Sequence, residues 1–148
     1  MAAERRADVV WEGNLVQGKG TITSTGSGAL SNLPVTWASR TERSDGKTSP
    51  EELIAAAHAS CYSMALSHIL NGKGTPPERL ETSVVVTFAQ LPEGGWGITR
   101  SAITVRGRVP GIDQAAFQEA ANQAKDGCPV SKALKGNVEM SVEATLQQ

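Results

Sequence analysis

One helix start constrains the fold of this chain more than any other feature. At Ser49-Pro50-Glu51-Glu52 a serine stands at an N-cap position, a proline follows at the first helical position, and Glu52 lies three residues after the serine. Together these residues predict a capping box and a helix that begins at Pro50. The helix is predicted to run to about Asn71-Gly72.

Apolar residues recur at every fourth position along the predicted helix, which places them on one face. The run is also rich in alanine and serine, so neighbouring elements can approach it closely. We therefore expect a central, largely buried helix. Its apolar face is predicted to consist of Leu53, Ala57, Cys61, Ala65 and Ile69.

Strand-like runs separated by turn residues lie on both sides of this helix. Before it they are residues 9–11, 15–16, 21–23 and 33–38, with a polar loop over 41–48. After it they are residues 81–91, 97–109 and 138–146, with a second helix from about Asp113, its predicted cap, to Lys125. This order predicts an α+β fold, in which antiparallel β-sheets pack on two central helices within one domain over residues 1–148.

The composition argues against several classes of protein. Hydrophobic residues make up 39% of the chain, charged residues 20%, and the net charge is −1, so we expect neither disorder nor binding to nucleic acid. The most apolar stretch, residues 53–70, is broken by histidines and serines, and the N-terminus is polar. We therefore expect no membrane span and no export signal. The expected location is the cytoplasm, where any disulfide would be transient.

Cys61 and Cys128 offer the best chemistry in the chain. Cys128 precedes Pro129, which predicts that it caps a short helix whose positive end favours a thiolate. Cys61 lies in the middle of the first predicted helix, where burial would raise its pKa, so a reactive Cys61 needs a nearby cation. The alternative is that both cysteines are small buried hydrophobic residues.

A zinc site is a further alternative. His58 and Cys61 are three residues apart on one predicted helix and could share an ion with Cys128. His68 lies 68 − 61 = 7 residues further on, about 10 Å along the helix and out of reach of the same tetrahedral ion. Three ligands then remain, so we expect no metal and assign neither histidine a role.

The segment Thr48–Ser67, with Cys61 in Ala-His-Ala-Ser-Cys, resembles the family of osmotically induced proteins and organic hydroperoxide resistance proteins. Further matching motifs are Trp11-Glu-Gly-Asn, Gly18-Lys-Gly-Thr21 and Gly127-Cys-Pro-Val-Ser131. The Ala-His-Ala motif, and the valine after Pro129, are more similar to the osmotically induced (OsmC) branch. The resemblance covers nearly the whole chain and implies an OsmC-like, intertwined homodimer.

The resemblance also implies a thiol-dependent peroxidase that reduces organic hydroperoxides, and hydrogen peroxide less well, without metal, flavin or haem. By this resemblance Cys61 is the peroxidatic thiolate, Cys128 resolves it as a disulfide, and Arg40 and Glu51 match the activating arginine and glutamate. Two thiols suffice for such a cycle, because a sulfenic acid condenses with a second thiol. The expected reductant is a dithiol or a thioredoxin-like donor, and the resemblance suggests a lipoyl dithiol. A redox sensor or binding protein of the same fold, without fast turnover, is the alternative.

The position of Glu51 adds a geometric argument. Glu52 already serves the predicted capping box, whereas Glu51 is free to orient Arg40, whose guanidinium would supply the cation that Cys61 needs. Glu51 and Cys61 are 61 − 51 = 10 residues apart, or about 15 Å along a straight helix. We therefore expect a composite site, with Glu51 and Arg40 from one protomer and Cys61 from the other. The alternative is that Arg40 has no role in the site and is a solvated charge in a loop.

Overall fold

The computed structural model describes residues 1–148, which form two compact units, Met1–Leu53 and Ile54–Gln148. The first unit contains β1 (Ala7–Glu12), β2 (Lys19–Thr25), β3 (Ser31–Val35), α1 (Trp37–Thr41) and the start of α2 (Pro50–Gly72). The second contains the rest of α2, β4 (Arg79–Gln90), β5 (Trp96–Arg108), α3 (Gln114–Gly127), α4 (Pro129–Leu134) and β6 (Glu139–Gln147). The α+β class is confirmed, while the single domain over residues 1–148 stays a prediction.

In the first unit, β1, β2 and β3 form an antiparallel sheet in chain order. The strand predicted at residues 15–16 is wrong, because these residues lie in the turn between β1 and β2. The Asn14 side chain accepts a hydrogen bond from the Gln17 N–H at 2.8 Å. An asparagine that binds the backbone a few residues on favours a turn over a strand.

The strand predicted over residues 33–38 ends early, at Val35, and α1 follows it. Thr36 and Ser39 form a complete capping box: each hydroxyl accepts a hydrogen bond from the other residue's backbone N–H at 3.0 Å. These bonds satisfy backbone donors at the helix start and so stabilise a short helix. Arg40 therefore lies in the last turn of α1, just before the loop.

The predicted bounds of α2 are confirmed. Ser49 caps it as expected, because its hydroxyl accepts from the Glu52 N–H at 3.1 Å. The Glu52 carboxylate, however, accepts a hydrogen bond from the Thr48 hydroxyl at 2.9 Å. In the predicted capping box the Glu52 side chain would instead accept from the backbone N–H of Ser49. At this helix start a bond from Thr48 to Glu52 takes its place.

The buried face of α2 is shifted by one residue from the predicted one. Its fully buried side chains within the second unit are His58, Tyr62, Leu66 and Leu70, and Ala57 of the predicted face is exposed. By length and composition α2 is long and apolar enough to cross a membrane, a test that core helices of soluble proteins also pass, and 22% of its most apolar window is buried. The prediction of a largely buried helix is therefore wrong for the single chain.

In the second unit, β4 and β5 form a long antiparallel hairpin, as predicted, but β6 pairs with β5 in parallel. The prediction of purely antiparallel sheets is wrong at this strand. Two helices, α3 and α4, connect β5 to β6, and a helical crossover returns the chain in the same direction. Asp113 caps α3 as predicted, accepting from the Ala116 N–H at 2.8 Å.

Apolar side chains from α2, α3 and β5 form the core of the second unit. Phe117 and Tyr62 are wholly buried, and the Tyr62 hydroxyl donates to the Ala121 carbonyl at 3.0 Å, which ties α2 to α3. Gly107 lets Phe117 approach β5, because a Cβ at Gly107 would stand 2.5 Å from the Phe117 ring. The packing between Gly107 and the Phe117 ring therefore leaves no room for a methyl group at position 107.

We expect Gly107→Ala to destabilise the protein by about 1–3 kcal/mol, since a methyl group forced into a packed core displaces its neighbours. Gly72→Ala is the matched control, because nothing lies within 4 Å of a Cβ at the end of α2. That substitution should be neutral or slightly stabilising. Urea unfolding of both variants measures the difference, and equal midpoints would contradict the close approach.

Candidate functional site

The structure brings Cys61 and Cys128 together in the second unit. Cys61 lies on α2 and packs against the core that contains Cys128, the N-cap of α4, and the two thiols are close enough to affect each other electrostatically. Both are free cysteines: Cys128 is wholly buried in the core, and Cys61 is partly exposed. Solvent can therefore reach the Cys61 thiol, whereas the Cys128 thiol is shielded from solvent.

The electrostatics of Cys61 combine opposing effects. Burial raises the pKa of the Cys61 thiol, the contact with Cys128 raises it further, and a hydrogen bond from the backbone of Val130 lowers it. Cys128 occupies the predicted N-cap, but its sulfur makes no capping hydrogen bond. The backbone at the start of α4 therefore favours the Cys61 thiolate.

Arg40 and Glu51 form an ion pair in the first unit. The Arg40 guanidinium donates through Nε at 2.9 Å and through an Nη at 2.8 Å, both to Oε1 of Glu51. The side chains are 29% and 8% exposed, so solvent screens this pair less than a surface pair. The guanidinium carbon also lies 6.0 Å from the centre of the Trp37 ring, within the range of a cation–π contact.

The second oxygen of Glu51 is unusual. Oε2 is buried and has no hydrogen-bond partner in the chain. A buried carboxylate oxygen without a donor is costly, and such atoms in native proteins call for a partner or a function. The Glu51 carboxylate thus has capacity for one more donor.

The predicted site residues therefore form two pairs, each within one compact unit. Arg40 and Glu51 are paired, as expected from the sequence, and Cys61 and Cys128 are neighbours in the core region. The alternative that Arg40 is a solvated loop charge is wrong, because Arg40 is helical and paired with a buried glutamate. Both cysteines do contribute to the core region, but Cys61 is not fully buried.

His58 is the residue that sequence reasoning missed. It is wholly buried, and its ring nitrogens are hydrogen-bonded to Ser101 and Ser131. Because both nitrogens are occupied by serines, the zinc alternative loses this ligand, and no group of three or more metal-binding side chains is present. In the sequence His58 lies three residues before Cys61, and Ser131 three after Cys128, but this spacing does not identify the two as partners.

The fold and the site define an α+β protein with two neighbouring free cysteines and a partly buried arginine–glutamate ion pair. The family model described as "OsmC-like protein" matches residues 43–143, and this chain belongs to that family.

Two relatives support the family assignment. Peroxiredoxin OsmC of Escherichia coli K12 is 40% identical over 143 residues, which cover 97% of this chain and 98% of the relative. An organic hydroperoxide resistance protein of Xanthomonas axonopodis pv. citri is 33% identical over 96 residues, 64% of this chain and 65% of its own. The resemblance seen in the sequence is therefore confirmed.

Solved structures agree with the fold. The organic hydroperoxide resistance protein OhrB of Bacillus subtilis superposes with a TM-score of 0.74 at 26% identity, covering 95% of this chain and 98% of that protein. An organic hydroperoxide resistance protein from Elizabethkingia anophelis has a TM-score of 0.75 at 21% identity, over 99% and 100% of the two chains. The second likeness bears on the fold alone.

Proposed function

We propose that this protein is a thiol-dependent peroxidase that reduces organic hydroperoxides, and hydrogen peroxide less well, to an alcohol and water. The observation that carries the proposal is that a partly exposed Cys61 packs against the core in which Cys128 is buried, so that the two thiols are neighbours. The relatives named peroxiredoxin and organic hydroperoxide resistance protein support the substrate class. A cytoplasmic location fits a disulfide that forms only during turnover.

Cys61 is proposed as the peroxidatic residue because it is the accessible member of the pair. Its thiolate attacks one peroxide oxygen, the O–O bond breaks, and the alkoxide leaves as the alcohol after taking a proton. Cys61 is then a sulfenic acid. The Cys128 sulfur attacks it, an S–S bond forms, and the sulfenic oxygen leaves as water. A dithiol, in our proposal a lipoyl dithiol, reduces the disulfide by exchange at the exposed Cys61 sulfur.

Arg40 and Glu51 are proposed to complete the site from the partner chain. Cys61 needs a cation, because burial and Cys128 both disfavour its thiolate. A guanidinium held by a carboxylate can stabilise a thiolate and also donate hydrogen bonds to a peroxide. Glu51 stands ten residues before Cys61 on the unbroken α2, about 15 Å by helical rise, which supports sharing between protomers.

A homodimer is the proposed assembly, and the exposure of α2 supports it. Met64 of α2 is 72% exposed, and most of the apolar window of this helix is not buried in the single chain. Apolar side chains on β1, Val9 and Val10, are also more than half exposed. Exposed apolar side chains of this kind mark an interface, and a second copy of the chain would cover them.

Turnover separates the peroxidase from a redox sensor of the same fold. The experiment is steady-state consumption of cumene hydroperoxide by the wild-type chain with dihydrolipoamide as the reductant. A peroxidase consumes many equivalents of hydroperoxide per chain. Consumption that stops at one equivalent with every dithiol tried would contradict the proposal and favour the sensor.

The arginine can be tested through the titration of Cys61. Because burial raises the pKa of Cys61 and a guanidinium lowers it, removing the guanidinium should move thiolate formation to higher pH. We expect Arg40→Gln to slow alkylation of Cys61 by iodoacetamide at pH 7 about tenfold, measured across pH in a Cys128→Ser background. Arg43→Gln is the matched control, since Arg43 pairs with Asp45 at the surface. Identical pH profiles for all three proteins would remove Arg40 from the site.

A further inference from the structure

His58 links the two elements that carry the cysteines. Its Nε2 lies 2.8 Å from the Ser131 hydroxyl on α4, and its Nδ1 lies 2.7 Å from the Ser101 hydroxyl on β5. All three side chains are essentially without solvent exposure. Ser101, His58 and Ser131 therefore form a buried polar bridge in the second unit.

The bridge is electrically neutral and fully satisfied. Burial lowers the pKa of His58, which keeps the imidazole uncharged near neutral pH. A neutral imidazole has one donor and one acceptor nitrogen, and each serine hydroxyl can rotate to supply the complementary group. Since both nitrogens are occupied, His58 has no free position with which to act as a base toward a substrate.

The placement of the bridge parallels that of the cysteines. His58 and Cys61 are neighbours at i and i+3 on α2, and Ser131 is the third residue of α4, the helix that Cys128 caps. Side chains at the N-cap and at the third helical position lie beside each other. The His58–Ser131 hydrogen bond therefore joins α2 to α4 next to the contact between Cys61 and Cys128.

We propose that His58 is a positioning residue that fixes α4 against α2 through Ser131, and so sets how readily Cys61 and Cys128 form a disulfide. Disulfide geometry is demanding, with the two sulfurs close to about 2.05 Å apart and a narrow range of dihedral angles, so an anchored α4 favours closure. Its part in turnover rests on the proposed function, whereas its effect on the dithiol–disulfide equilibrium does not.

Two conservative variants separate the two hydrogen bonds. Glutamine places its amide near the position of Nε2 and can retain the bond to Ser131, while asparagine places its amide near Nδ1 and reaches Ser101 only. We expect His58→Gln to remain close to wild type. His58→Asn and Ser131→Ala should each lower the equilibrium constant for Cys61–Cys128 disulfide formation about tenfold, because an α4 that is no longer anchored loses conformational entropy when the disulfide closes. Ser101→Ala should leave that constant near the wild-type value.

The equilibrium is measured on the full chain in glutathione redox buffers, with alkylation and intact mass spectrometry to count free thiols. A tenfold change corresponds to about 30 mV in the reduction potential. Equal constants for Ser131→Ala and Ser101→Ala would overturn the proposal, even if His58→Asn fails to fold. An equal loss in His58→Gln and His58→Asn would also overturn it, because it would show a general packing effect. Failure of the peroxidase proposal appears separately, as wild-type protein that forms the disulfide with glutathione but does not turn over cumene hydroperoxide.

Discussion

Cys61→Ser should lower hydroperoxide turnover by at least about a thousandfold, because it removes the only nucleophile that the proposed cycle offers to the peroxide. Serine has nearly the same shape, so the partly exposed position tolerates it without loss of the fold. The measurement is steady-state consumption of cumene hydroperoxide with dihydrolipoamide, with thermal unfolding to show that the variant is folded. Full activity in this variant would contradict the central proposal.

Cys128→Ser is the matched variant, and it should fail in a different way. Cys61 can still attack the hydroperoxide, so about one equivalent should be consumed in a burst. Without the second thiol the sulfenic acid persists and is open to further oxidation. Intact mass spectrometry should therefore show one added oxygen, then two, on Cys61 in this variant and an intramolecular disulfide in wild type. If the wild-type enzyme turned over fully without forming a disulfide, Cys128 would have no role in the cycle.

The elements predicted well from the sequence are those whose signals are local. The start of α2 follows from Ser49 and Pro50, and the start of α3 from Asp113, because each cap acts within one turn. The direction of β6 was predicted wrongly, since pairing with β5 depends on the path of α3 and α4 between them. Whether β6 runs parallel to β5 depends on the path of the whole segment between them, and no single residue predicts that path.

The buried face of α2 illustrates a different limit. Alanine and serine occupy so many positions that a period of four fits more than one face, and the structure buries the row through Tyr62 and Leu66. Side chains of the predicted row, such as Ala65 and Ile69, pack at the edge of this core. A helix that is apolar on several faces has no single inward direction, which is also why a second copy is the proposed cover.

The site could be predicted only in part for a similar reason. The contact between Cys61 and Cys128 joins residues 128 − 61 = 67 positions apart, and the sequence pointed to it through the family resemblance rather than through spacing. His58 was left without a role because its partners are distant in sequence: Ser101 is 43 residues away and Ser131 is 73. Serine is too common for such a pairing to stand out in one sequence. Only the fold brings these groups together.

The proposed composite site can be tested with heterodimers of differently tagged chains. If Glu51 of one protomer serves Cys61 of the other, a dimer of a Cys61→Ser chain with a Glu51→Ala chain keeps one complete site. Its activity should be about half that of wild type. The Cys61→Ser homodimer should be inactive, and the Glu51→Ala homodimer should be about a hundredfold slower than wild type, because an unsupported Arg40 loses its position.

The matched control places both substitutions on one chain and pairs it with a wild-type chain. In a shared site this dimer has no complete set, because the wild-type Cys61 meets the substituted alanine and the wild-type Glu51 meets the substituted serine. Its activity should then fall to that of the Glu51→Ala protein or below. If each chain instead builds its own site, the two heterodimers exchange their outcomes, and the doubly substituted pairing is the half-active one. Because both dimers contain the same substitutions, a general loss of stability affects them equally, and their ratio alone shows whether Cys61 depends on Glu51 of the partner.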